Sequence, residues 1–496
     1  MDRNSTLHIP AFDNSYARLP DRFFARVDPA QAPAPALIAV NRELAAELGF
    51  DPDWLAGAEG LEFVSGRVIA PGSEPIAAVY AGHQFGHFTP QLGDGRAVLL
   101  GEVIDIRGRR RDIQLKGAGR TPFSRRGDGR AAIGPVLREY LVSEAMAALG
   151  VPTTRSLAAC RTGENVQRER LLPGAVLVRV AASHIRVGTF QYFAAKQDVE
   201  GVRALADHVI ARHFPEASRA DQPYRVLLDQ VVQAQADLIA RWMLVGFIHG
   251  VMNTDNMSVT GETIDYGPCA FMDAYDPATV FSSIDEHGHY AFGNQPQIGL
   301  WDLTRLAETL LPLLADTTDA AIAIAEDVLA GFGPRFAKTH GEGMLHKLGL
   351  AQVREGDTEL ANTILAAMHG NLVDFTLLFR RLSDAVEPGP GEERVRELFA
   401  DPTAADEVLA AWRARLALDG RPACDIKAGM DSVNPVYIPR NHRIEAVIRS
   451  AEQGDFGPFE ELLQVLSRPF DPRPEFARYE NPPAEHERVL ATFCGT

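Results

Sequence analysis

The sequence predicts an α+β protein in which a strand-rich N-terminal part precedes a helical C-terminal part. Three observations carry that prediction. Residues 76–187 are punctuated by glycine and run in short alternating apolar stretches, the period of half-buried strands. From about Gly188 onward apolar residues recur at helical spacing, most clearly at Leu227, Val231, Ala234, Leu238, Trp242 and Val245. Residues 246–267, GFIHGVMNTDNMSVTGETIDYG, set Asp255 beside Asn256 and deliver Asp265 after a short hairpin pattern.

Composition bounds the function. The chain of 496 residues is 46% apolar and 23% charged, ordinary for a globular protein with a large core. Its formal charge of −17 disfavours nonspecific binding to nucleic acid or an anionic membrane, so an anion site must be built locally from Arg and Lys. Cys160, Cys269, Cys424 and Cys494 form no CxxC pair. The N-terminus has no apolar signal core and no run reaches the length of a membrane span, which makes a cytoplasmic location the default. HExxH, GxSxG and the Walker motif are absent, which removes the main support for zinc hydrolase, serine hydrolase and P-loop readings.

Four units are expected: an extension (1–75), a strand-rich lobe (76–187), a helical lobe (188–420) and a C-terminal extension (421–496). In the first, residues 36–48 carry a helical pattern that Gly49 ends. In the second, Gly93, Asp94, Gly95 and Arg96 form a turn ahead of an alternating run over 98–106. The tract Arg107-Gly108-Arg109-Arg110-Arg111 reads as a solvated hairpin turn. Next, Ile113 and Leu115 face one way, Gln114 and Lys116 the other. Lys116 suits phosphate contact or an ordinary strand edge. Residues 117–134, rich in Gly and Arg, suit an anion cradle or a solvated loop. Pro135 opens a helix that Gly150 ends. Glu139 near its start serves either the helix dipole or Lys116. Arg179 and Arg186 bracket the passage to the helical part, as buried ion pairs, anion contacts or surface bridges.

In the third unit, residues 267–297 read as a long loop, and EPGPGEER as a linker or loop. In the fourth, NPVYIPRNHRIEAVI gives an extended piece and a helix, followed by an irregular surface tail.

Together these parts follow the order of a protein-kinase-like bilobal fold, with nucleotide between the lobes. Carboxylate and amide oxygens on neighbouring loops suit a hard divalent cation. One position departs from the kinase pattern: Val251 lies five residues before Asn256, where a kinase carries its catalytic Asp.

Over nearly its whole length the chain resembles the selenoprotein O family, through YAGHQFGHFTPQLGDGRA, QLKGAGRTPFSRRGDGRA, HGVMNTDNM, DYGP and NPVYIPRNH. The resemblance implies an enzyme that binds ATP in a flipped orientation and transfers AMP to protein hydroxyls. It implies ATP contacts from Gly93, Gly95, Arg96, Lys116, Asp128, Gly129, Arg179, Arg186 and Asp265. It implies magnesium on Asn256 and Asp265, with manganese as the alternative metal. Asp255 would accept the proton, and Glu139 would pair with Lys116. Expected partners are ATP and proteins offering Ser, Thr or Tyr hydroxyls, the chain itself among them. Competing readings are UMP transfer with manganese, conventional phosphotransfer and an inactive ATP-binding scaffold. The resemblance also implies a redox-controlled C-terminal cysteine, for which Cys494 fits. Phe281-Ser282-Ser283 stands where some bacterial relatives carry a second cysteine, and Cys269 lies earlier in that segment.

Overall fold

The alternating stretches of the sequence are strands in the computed structural model, which describes residues 8–493. The first part comprises β1 (Phe24–Arg26), β2 (Ala36–Val40), α1 (Arg42–Leu48), α2 (Pro52–Leu55), α3 (Ala58–Val64), β3 (Ile76–Ala78), β4 (Gly82–Gln84) and β5 (His87–Thr89). It continues with β6 (Ala97–Ile104), β7 (Arg110–Lys116), β8 (Ala131–Ala132), α4 (Ile133–Ala148), β9 (Arg155–Gln167) and β10 (Leu171–Ala181). One antiparallel sheet runs in the order β1-β3-β6-β7-β10-β9-β2, with β8 on β10. Segment 1–75 therefore supplies both edge strands of the sheet formed by the next unit.

Register gives the sheet two different faces. Lys116 stands opposite Ala97 and Leu177, and Gln114 opposite Leu99 and Arg179, so Gln114, Lys116 and Arg179 share a face. The intervening Ile113, Leu115, Val176, Val178 and Val180 point the other way. They pack with Leu44, Leu48, Leu55 and Phe63 of α1–α3 into a closed apolar layer. At about 1.5–3 kcal/mol for each fully buried aliphatic side chain, this layer fixes which face carries the polar residues.

The helical part begins with α5 (Val187–Ala195), α6 (Val199–His213) and α7 (Pro223–Val245), then β11 (Phe247–Ile248), β12 (Ala270–Phe271), α8 (Gln295–Leu314), α9 (Thr318–Leu329) and α10 (Phe332–Lys347). It ends with α11 (Asp357–Asn371), α12 (Phe375–Asp384), α13 (Pro390–Arg396), α14 (Pro402–Leu416), α15 (Ala423–Asp431), α16 (Asn441–Glu452) and α17 (Gly457–Leu466). Helix α7 stops at Gly246, whose φ of +72° breaks the helix and turns the chain toward β11.

Helices α16 and α17 do not form a separate body. Ile444, Val447, Phe459 and Leu462 share a core with Leu137, Tyr140 and Leu141 of α4, and the Tyr140 and Phe459 rings lie 5.6 Å apart. The C-terminal segment thus braces the helix that carries Glu139.

Five local expectations are corrected. Of residues 36–48, the first five are β2, paired to β9 through Ala36–Arg161 and Val40–Ala158. The helix starts only after Asn41, which accepts a bond from the Leu44 N–H. Helix α4 begins at Ile133, two residues before Pro135. EPGPGEER contains the start of α13, with Pro390 in its first turn. In the basic tract, Arg110 and Arg111 are in β7 and engage Asp13 and Glu102, and Asp105 and Glu262, respectively. Only the turn itself is solvated. The tail is likewise partly packed: Arg473, Phe476 and Tyr479 are buried. No helix among the described residues is long and apolar enough to cross a membrane.

Candidate active site

The polar face of the sheet gathers charge at the end of β7. Lys116 Nζ lies 2.5 Å from Glu139 Oε2 and 2.8 Å from Asp265 Oδ1. Arg179, one strand over, donates to Glu139 Oε1 at 2.7 Å and to Asp265 Oδ1 at 2.5 Å. Arg186 follows the end of β10, donates to Asp265 Oδ2 at 3.4 Å and to the Asp255 carbonyl at 2.8 Å, and lies over the Tyr80 ring. Burial alone would raise the Asp265 carboxyl, but Arg179, Lys116 and Arg186 outweigh it and hold the group well below the usual range. Its backbone sits at φ +65°, a left-handed conformation that Asp tolerates better than most residues.

The opposite wall is the loop after β11. His249 fastens it: its Nε2 lies 2.9 Å from the Ile264 carbonyl, and its backbone N–H donates to Gln295 Oε1 at 3.0 Å. Asn256 donates its side-chain amide to the Val251 carbonyl at 3.0 Å, which directs the amide plane. Asp255 is 9% exposed, and burial pushes its carboxyl up to about 6. Its Oδ2 accepts from Gln84 at 3.3 Å, while its Oδ1 has no hydrogen-bond partner among the described residues. The expected hairpin is a single bridge between Met257 and Thr263. It is tied back to the start of α5 by the Val187 N–H on the Met257 carbonyl, 2.9 Å, and to the segment between β10 and α5 by the Val259 N–H on the Ile185 carbonyl, 3.1 Å.

Two glycine-bearing segments pack together beside this wall. Gly93, at φ +110°, has Phe123 2.6 Å from where a Cβ would stand, and Gly95 has the Phe123 carbonyl 2.9 Å away. Thr121 Oγ1 donates to the Asp94 carbonyl at 2.6 Å, and the Gly117 N–H to the Arg96 carbonyl at 2.7 Å. The Gly- and Arg-rich stretch is therefore stapled to the 93–96 turn. Gly129, at φ +69°, abuts Gly119 and has no room for a side chain. Asp128 is exposed, and its carboxylate is engaged by Arg168 at 2.8 and 3.2 Å. The structure thus brings Lys116, Glu139, Arg179, Arg186, Asp255 and Asp265 into one connected set. Asp128 has a separate partner.

A family model described as "Protein adenylyltransferase SelO" matches residues 7–467. A relative from Rhodopseudomonas palustris strain BisB5, "Protein nucleotidyltransferase YdiU", is 63% identical over 492 residues, covering 99% of this chain and all of its own. Relatives of the same name from Bradyrhizobium sp. strain BTAi1 and Methylorubrum populi are 64% and 63% identical over 493 residues. They cover 99% and 98% of this chain, and 100% and 99% of their own. The chain belongs to the SelO family. It is a nucleotidyltransferase.

For this SelO-family chain the sequence left several site residues unassigned. Gln84 reaches Asp255 across 171 positions, and Tyr290 donates to Asn253 Oδ1 at 2.5 Å. Asp302 of α8 is fully buried with neither carboxylate oxygen bonded among the described residues, and burial, reinforced by the Asp255 charge, raises it well above the carboxylate range. The only available signal was the polar Gln inside YAGHQFGHF; Tyr290 and Asp302 had none. Cys269 is buried, and Cys494 lies outside the described residues. The tail that leads to it runs beside the 267–297 loop: the Thr492 N–H donates to the Phe281 carbonyl at 2.6 Å, and the Ser283 N–H to the Thr492 carbonyl at 3.0 Å.

Proposed function

We propose that this chain transfers AMP from ATP to Ser, Thr or Tyr hydroxyls of proteins, itself included, and releases pyrophosphate. The observation that carries this reading is the convergence of Lys116, Arg179 and Arg186 on Asp265. Two buried arginines and a half-buried lysine are more than one transferred phosphoryl group requires. They suit a leaving pyrophosphate, whose charge grows as the bond breaks. The sheet and helical parts would then be the lobes of a protein-kinase-like fold, about 76–187 and 188–420, with ATP in the junction. Gly93, Gly95, Arg96, Asp128 and Gly129 would complete the nucleotide contacts.

Asp255 is the proposed base. The acceptor oxygen would bond to the α-phosphorus while its proton passes to the Asp255 carboxylate. The bond from the α-phosphorus to the bridging oxygen would break, and pyrophosphate would leave. Asn256 and Asp265 offer amide and carboxylate oxygens on adjoining loops, a donor set that fits magnesium. When bound, the metal would neutralise phosphate charge. Glu139 holds Lys116 and Arg179 in place. The test is mass spectrometry of the protein after incubation with magnesium and ATP. Adenosine monophosphate on hydroxyl side chains, with pyrophosphate in solution, is expected. Phosphate alone on those side chains, with ADP in solution, overturns the reading.

A further inference from the structure

The two carboxylate oxygens of Asp255 are both enclosed by one small hairpin. Gln84 donates to Oδ2 at 3.3 Å. Oδ1 has no partner among the described residues and lies against Gly82, where an added Cβ would stand 2.5 Å away. Both neighbours belong to β4–β5, which among the described residues pairs only with itself, Gly82 with Thr89 and Gln84 with His87. The hairpin rests on the Asp255 loop through a few bonds. The His83 N–H donates to Thr254 Oγ1 at 2.7 Å, the Phe85 N–H to Asn253 Oδ1 at 3.2 Å, and the Phe85 and Tyr290 rings lie 5.0 Å apart. At its tip, Phe85 and Gly86 adopt φ of 50° and 80°, and His87 and Phe88 are exposed. Lifting it breaks no ladder of the large sheet.

A hydroxyl that yields its proton to Asp255 must come within hydrogen-bond reach of one of those oxygens. In this structure β4–β5 stands at both. We propose that the β4–β5 hairpin is the acceptor gate, and that Gln84 stands in for the acceptor O–H on Asp255 until an incoming hydroxyl displaces it. This rests on the reading of Asp255 as the base. Gln84 then determines how readily an acceptor engages, and nucleotide binding does not depend on it.

The probe is a set of synthetic peptides, each with one Ser, Thr or Tyr, given to the full chain with saturating magnesium and ATP. Gln84→Ala removes the competing donor, so the acceptor KM should fall about 3- to 10-fold, the range that one hydrogen bond is worth, with kcat nearly unchanged. An unchanged or raised KM overturns the gate. A lower kcat at constant KM also does, because it makes Gln84 a positioning residue for Asp255. Hydrogen exchange reads the gate without turnover: with a non-hydrolysable ATP analogue bound, the peptide should speed exchange at the His83 and Phe85 amides. Equal protection with and without peptide contradicts opening. A wild-type chain that transfers no AMP to peptide or to itself removes the adenylylation reading and the gate with it. Wild-type transfer with a kinetically identical Gln84→Ala removes the gate alone.

Discussion

At Asp265 three cations meet one carboxylate whose backbone is held at φ +65°. Removing the carboxylate leaves Lys116, Arg179 and Arg186 facing one another, and removes an oxygen donor from the proposed metal site. Asp265→Ala should therefore abolish nucleotide incorporation, measured as labelled protein; wild-type incorporation would refute the assignment. Asp255→Ala should lower kcat about 10²- to 10⁴-fold, the worth of a general base, while ATP affinity stays nearly the same. Equal losses in both would argue against a base. These residues were legible because their motifs are local: Asp255 and Asn256 are adjacent, and Asp265 follows a short turn. The partners were not. Arg168 holds Asp128 from 40 positions away and Gln84 reaches Asp255 from 171, and no local spacing encodes such pairings.

Among elements, alternation and helix stops were readable where one face is buried. Strands β6, β7 and β10 and the end of α7 at Gly246 follow the pattern. Segment 36–48 misled because an edge strand is decided by pairing, here to β9, more than by its own period. NPVYIPRNH was readable as an extended piece and helix, but its purpose was not. Arg440, 1% exposed, bonds Asp374 at 2.8 Å and also pairs with Asp273. Since Asp374 caps α12, this one side chain ties the loop after Asp265 to a helix start and to α16. Arg440→Met should cost roughly 3–5 kcal/mol, because two carboxylates lose their buried cation. Urea denaturation measures it, and a loss under about 1 kcal/mol would show the clamp to be dispensable.

Across the whole molecule, an apolar core continuous from the sheet through α4, α7 and α8 to α17 joins parts that the sequence divided into four. Long-range packing of this kind has no local signature, so residues 421–496 read as an extension although they brace α4. Acid stability is a property at the same scale. Burial pushes His208 down to about 4 and His213 down to about 3, whereas the unfolded chain titrates near 6.5. Between pH 6.5 and 4 the unfolded state binds protons that the folded state refuses, so stability falls as pH falls through that window. His208→Gln should flatten this dependence by up to roughly 1.4 kcal/mol per pH unit, read from urea midpoints at pH 6.5 and 5. An unaltered slope would contradict it.

ATP labelled separately at the α- and γ-phosphorus distinguishes pyrophosphate from ADP as the leaving group. With magnesium and the chain as its own acceptor, the α label should remain on the protein and the γ label should leave in pyrophosphate. A γ label on the protein would contradict pyrophosphate as the leaving group. So would a protein that carries neither label although ATP raises its melting temperature.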